Sequence, residues 1–97
     1  MCGIAAVLET QRRPADEILA QLKLMNNLQR HRGPDGEGCW VEENFGIGMG
    51  HVRLSIIDID GGAQPMSSDS GAVISFNGEI YNYKELRTEL PEYQFQT

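Results

Sequence analysis

From Phe45 to Ile59 the chain reads FGIGMGHVRLSIIDI, and no other segment constrains the fold as much. Small and large residues alternate and β-branched side chains are frequent, so the run is expected to form one or two strands. Its glycines alternate as in a strand that another backbone approaches closely. Other strands are expected beside it. Cys2–Leu8 reads as a short buried strand, a nearly continuous apolar run with Ile4 and Val7 that starts almost without a lead-in and anchors the N-terminus in a core. Cys39, Trp40 and Val41 suggest a strand before a polar turn at Glu42–Asn44, and Ala72–Phe76 a further one. Tyr93, Phe95 and Thr97 open a further strand.

Helical signals are fewer. Pro14 followed by Asp16 and Glu17 marks a helix start, and Ile18, Leu19, Leu22, Met25 and Leu28 then recur at helical spacing up to about Gln29. Tyr83–Leu90 reads as a short second helix closed by Pro91. Arg30–Gly38 is a loop because Gly33, Pro34, Asp35 and Gly36 favour tight turns. Gly61, Gly62 and Pro65 end the long β-rich run, and Asn77–Gly78 is a strong local turn signal. Strands mixed with two helices make an α+β chain. Its 97 residues suffice for one core.

Composition excludes several classes of function. Hydrophobic residues at 40% and charged residues at 23% fit a folded globular chain. A net charge of -6, with basic residues dispersed except around Arg30 and Arg32, argues against a nucleic-acid or anionic-membrane surface. The start, MCGIAAVLET, has neither a basic lead nor an apolar run long enough for a signal peptide or a membrane span. The expected location is cytoplasmic, with Cys2 and Cys39 as reduced thiols.

Cys2 is the first candidate for chemistry. A thiolate is a strong nucleophile, but a free thiol has a pKa near about 8.5 and needs a base. If Met1 is removed, the amine of Cys2 itself, with a reference pKa of about 7.7–8.0, can be that base without a histidine. A small apolar residue opening a strand is the competing reading of Cys2. Arg53 stands in an apolar run, where a guanidinium needs an anion: either the carboxylate of a bound amino acid or an internal partner such as Asp58, Asp60 or Glu79. Asn77 and Gly78 form a turn, and a turn of this kind presents a backbone N–H beside a side-chain amide, two donors able to converge on an oxyanion. His31 and Asp35 lack a second ligand at metal-binding spacing. His51 reads as structural, Cys39 as packing. GIGMG is no dinucleotide fingerprint because no helix follows it.

MCGI, RHRGPDG, HVRLSIID and NGEIYNY occur in this order from one end of the chain to the other. Together they resemble the glutaminase domain of class II glutamine amidotransferases, closest to the glutamine-hydrolysing asparagine synthetase branch. The resemblance implies an N-terminal-nucleophile hydrolase fold, an αββα sandwich of which this chain is the first half. It also implies Cys2 as nucleophile, Asn77 and Gly78 as oxyanion hole, and Arg53, Leu54, Ile56, Asn77, Gly78 and Glu79 as binders of glutamine. The HRGPDG loop would lie close to the glutamine pocket, with Arg32 helping to order it.

The implied reaction releases ammonia and glutamate, the ammonia passing to a C-terminal synthetase domain or partner chain. There ATP and magnesium activate aspartate; no cofactor is expected within this chain. The family's domain is roughly twice this length and continues with an acidic residue that binds the substrate amine, a motif absent up to Thr97. The alternatives are a non-catalytic module that pairs with another chain or a second copy of itself through a free strand edge, and an amidotransferase with another acceptor.

Overall fold

A computed structural model describes residues 1–54 and 62–95. The architecture is α+β. The described elements are β1 (Gly3–Leu8), α1 (Ala15–Leu28), β2 (Gly36–Glu42), β3 (Ile47–Arg53), β4 (Met66–Ser67), β5 (Val73–Ile74) and α2 (Tyr83–Glu89), with a 3-10 turn at Arg30–Arg32. The larger sheet has the order β1-β3-β2, so the glycine-alternating run lies in its middle, hydrogen-bonded on both sides. Both pairings are antiparallel: Gly3 faces Val52 through to Leu8 facing Ile47, and Gly36 faces Arg53 through to Glu42 facing Ile47.

That register sorts the side chains by face. Gly48, Gly50 and Val52 share one face with Ala5, Val7, Cys39 and Val41. Met49, His51 and Arg53 share the other with Ile4, Ala6 and Trp40. Helix α1 covers the first face. Its start is set by Pro14, whose extended backbone (φ -52°, ψ 134°) precedes the first helical residue, and by Asp16 and Glu17 in the first turn, where carboxylates complement the exposed N–H groups. The Glu43 carboxylate also accepts the Ala15 N–H at 3.3 Å. Ile18, Leu22 and Asn26 recur at helical spacing and are wholly buried. Ile18 and Leu22 form the core with Ala5 and Val7, flanked by Met25, Cys39 and Val41. Complete burial of an aliphatic side chain of this size contributes about 1.5–3 kcal/mol.

The glycines of β3 make this fit possible, in a way the sequence did not indicate. A Cβ on Gly48 would lie 2.5 Å from Ile18 Cγ2 and 2.8 Å from Leu22 Cδ1, and one on Gly50 would lie 2.6 Å from Asn26 Oδ1. At Gly48 and Gly50 the close approach is by helix side chains, whereas at Gly46, before the strand, it is by another backbone, the Gln11 carbonyl oxygen taking the space a Cβ would need.

Other boundaries differ from expectation for identifiable reasons. β2 begins at Gly36, inside the expected loop, because the Asp35 N–H already donates to the Arg53 carbonyl at 2.9 Å. The β2–β3 turn extends to Gly46, whose φ of 65° suits glycine. The strand expected at Ala72–Phe76 shortens to Val73–Ile74 and pairs with Met66–Ser67, which no sequence signal marked. Tyr93 and Phe95 are outside any strand and stack edge-to-face at 4.9 Å. The second helix forms as expected, with no buried residue. Residues 55–59 of the long run, and Thr97, lie outside the described residues. No helix among the described residues is long and apolar enough to cross a membrane.

Overpacking the β3–α1 contact should therefore be costly. Gly48→Val is expected to lower the unfolding free energy by about 1–3 kcal/mol in urea denaturation. Gly36→Ala, where a Cβ would meet nothing within 4 Å, should stay within about 0.5 kcal/mol of wild type.

Candidate active site

One end of the larger sheet brings together three of the residues that the sequence singles out, Cys2, Arg53 and Leu54. Carrying the β1–β3 register one step past Gly3 and Val52 sets Cys2 opposite Arg53. The Cys2 thiol is half-buried. The Leu54 N–H donates to its sulfur at 3.4 Å, and the Leu54 carbonyl oxygen lies 3.9 Å away. An N–H dipole aimed at sulfur is complementary to negative charge there.

The HRGPDG loop fixes the other side of Cys2. Arg32 Nε donates to the Cys2 carbonyl at 3.1 Å, which gives the expected ordering role of this arginine a definite target. Gly33 is buried against β3, where a Cβ would fall 2.5 Å from Arg53 N and 2.6 Å from the Val52 carbonyl oxygen. Backbone atoms cannot yield as a flexible side chain can, so the loop lies flat on the strand only with glycine at this position. Pro34 then bridges Arg53 before β2 begins.

Beside this loop is a cavity of 470 Å³ with Asp35, Glu37, His51, Arg53 and Gln64 on its walls. Both charge signs face it, a lining suited to a small solute that carries both. Among the described residues the walls include Arg53 but neither Cys2 nor Asn77. No set of three His, Cys, Asp or Glu side chains among the described residues is placed to hold a metal ion.

Asn77 is half-buried, while Gly78 and Glu79 are exposed. The Asn-Gly pair falls at a bend at Gly78 after β5, and among the described residues no strands pair across it. The residues before it are tied down instead. Ser75 Oγ lies 2.9 Å from His51 Nδ1, and the Phe76 N–H donates to Gln64 Oε1. Gln64 itself rests on β2, its carbonyl occupying the space a side chain on Gly38 would need. Ile56 lies outside the described residues, as do Asp58 and Asp60.

His51 is wholly buried, as a structural histidine would be. Its Nε2 has no hydrogen-bond partner among the described residues. Burial, and secondarily the Arg53 guanidinium, hold its pKa below the ordinary 6.5. Cys39 differs from Cys2: it sits on the helix-facing side, its sulfur 3.5 Å from Asn26 Nδ2, and burial and then Glu37 raise its pKa. That placement agrees with a packing role. Sequence reasoning missed Asn26, Gln29 and Gln64. Asn26 reaches from α1 to the Gly38 carbonyl at 3.2 Å, and the side chain of Gln29 fills the space beside Gly3. Asn26 stands four residues after Leu22, a spacing that could have marked it as buried, but no local signal marks the other two.

The depressed pKa of His51 has a definite sign. Above the unfolded-state value of about 6.5 its contribution is fully present; below it the unfolded chain takes a proton that the native site resists, so stability falls until the native pKa is passed. Denaturation midpoints should drop between pH 7.5 and pH 5, and His51→Gln should shrink that drop. Equal pH dependence in both proteins would contradict the assignment to His51.

A family model described as a glutamine amidotransferase domain matches residues 1–97. Asparagine synthetase [glutamine-hydrolyzing] 1 of Bacillus subtilis (strain 168) is 44% identical over 104 residues, covering 100% of this chain and 16% of that protein. Asparagine synthetase B [glutamine-hydrolyzing] of Escherichia coli (strain K12) is 40% identical over 99 residues, covering 100% of this chain and 17% of that protein. The amidase chry2 of Gibberella zeae is 38% identical over 102 residues, covering 95% of this chain and 15% of that protein. The chain thus spans about a sixth of the length of these relatives. With the family model matched along its whole length, the chain belongs to the glutamine amidotransferase domain family.

Proposed function

We propose that this chain is the first half of an N-terminal-nucleophile αββα glutaminase domain that cleaves the side-chain amide of glutamine through Cys2. The observation that carries this reading is the contact between the Cys2 sulfur and the Leu54 N–H, which sets a half-buried thiol beside Arg53 in a chain of this family. Met1 is 72% exposed, so its peptide bond is accessible to removal and the Cys2 amine can become free.

The Cys2 thiol passes its proton to that amine as sulfur bonds to the amide carbon of glutamine. The Asn77 side-chain amide and the Gly78 N–H receive the developing oxyanion. The α-amine then returns the proton to the leaving nitrogen, the C–N bond breaks, and ammonia departs. Water adds to the thioester, the C–S bond breaks, and glutamate leaves with the thiol restored. Arg53 pairs with the α-carboxylate of glutamine through its fork of donors. Glu79 and the backbone at Leu54 and Ile56 complete the grip.

The names of the bacterial relatives support asparagine as the amidated product, formed in a synthetase domain or partner chain that receives the ammonia. Activation of aspartate by ATP and magnesium falls to that domain.

Ammonia release from glutamine by the full chain tests this reading. Cys2→Ala should abolish release. Asn77→Ala should lower kcat by about 10²–10³-fold with KM little changed, as expected for loss of one oxyanion donor. Release unaffected by Cys2→Ala would overturn the proposal.

A further inference from the structure

After Ile74 the chain leaves the β4–β5 pair, and among the described residues no strand pairs with residues 75–80. Asn77 and Gly78 lie on this stretch, yet two donors serve a transition state only if their positions are fixed. A misplacement of about 1 Å can cost about 10²-fold in rate. Among the described residues, two side-chain hydrogen bonds hold the stretch. One runs from Phe76 to Gln64, which is itself on a connecting segment. The other, between Ser75 Oγ and His51 Nδ1 at 2.9 Å, reaches the central strand of the larger sheet.

We propose that His51 is a positioning residue: its buried imidazole, bonded to Ser75, latches the Asn77–Gly78 segment onto β3 and sets the oxyanion donors relative to Cys2. This inference rests on the glutaminase reading. His51 and Arg53 occupy one face of one strand and line one cavity, and the next residue, Leu54, donates its N–H to the Cys2 sulfur. A strand advances about 3.3 Å per residue with little play, so the last turn of pleat in β3 fixes nucleophile, carboxylate anchor and oxyanion segment against one another.

Packing alone does not account for an imidazole at this position. His51 is 0% exposed and its Nε2 finds no partner among the described residues, a cost that a leucine or phenylalanine would avoid. What imidazole adds is a polar atom at Nδ1, where Ser75 is. Burial and Arg53 both disfavour the imidazolium, and a neutral ring has one donor and one acceptor nitrogen. The other charged groups on the cavity wall are Asp35 and Glu37.

The test uses the full chain with Ser75→Ala, His51→Leu and His51→Asn, since an asparagine amide can place a polar atom near the position of Nδ1. In Ser75→Ala and His51→Leu, hydrogen exchange at the Phe76 amide should accelerate at least tenfold, and backbone order parameters at Asn77 and Gly78 should fall from about 0.85 toward 0.6. Exchange at Ala5 and Val52 in Ser75→Ala should stay within twofold of wild type, and His51→Asn should restore part of the protection. For ammonia release, kcat should fall about tenfold or more in Ser75→Ala with KM for glutamine unchanged. Unchanged exchange and order at residues 76–78 in Ser75→Ala, or exchange raised equally in the core, would overturn the latch. If wild type releases no ammonia, the glutaminase reading fails, while exchange and order parameters still decide whether the latch exists.

Discussion

The rest of the structure depends on the contact between β3 and α1. Gly48 and Gly50 leave the central strand bare on one face, and Ile18, Leu22 and Asn26 settle into the space so created. Burial of those side chains fixes which face of β3 points inward, because a strand with period two cannot turn one residue without turning all of them. Once Gly48, Gly50 and Val52 face the helix, Met49, His51 and Arg53 must face the other way. The chemistry proposed for this chain lies on that opposite face. A helix that buries apolar surface thereby sets the direction of a guanidinium and an imidazole with which it shares no face.

The same strand explains why two thiols in one small chain have different prospects. Cys39 pairs with Gly50 and therefore points toward α1, where burial and Glu37 raise its pKa and keep it protonated. Cys2 lies beyond the last β1–β3 pair, where the sheet ends and a backbone N–H is free to meet the sulfur. Arg32 and Gly33 close the arrangement from the loop side, one by holding the Cys2 carbonyl and the other by letting the loop touch the strand. An end-of-sheet position combines rigidity with access, which a nucleophile needs and a core thiol lacks.

Much of this was legible in the sequence, but unevenly. The long glycine-alternating run, the helical spacing of Ile18 and Leu22, and the apolar start at Cys2 are local patterns, and local patterns forecast their own elements. The resemblance to glutamine amidotransferases names Cys2, Arg53 and Leu54 as site residues, and in the structure the Leu54 N–H meets the Cys2 sulfur beside Arg53. It was silent on what joins the pieces. The bonds from Arg32 to Cys2, Ser75 to His51 and Phe76 to Gln64 each link residues far apart in the chain, and neither residue in a pair carries a mark of its partner. The same limit explains the early start of β2, which follows from Asp35 meeting Arg53.

The central claim is that Cys2, and not Cys39, is the nucleophile, acting with a free α-amine. The most direct measurement is to treat the full chain with a glutamine analogue bearing an electrophilic carbon in place of its amide group, then locate the adduct by peptide mass mapping. The account predicts a single adduct on Cys2 in molecules that lack Met1, with protection by excess glutamine. Modification of Cys39 in preference to Cys2, or equal labelling of Cys2 whether or not Met1 is present, would contradict it.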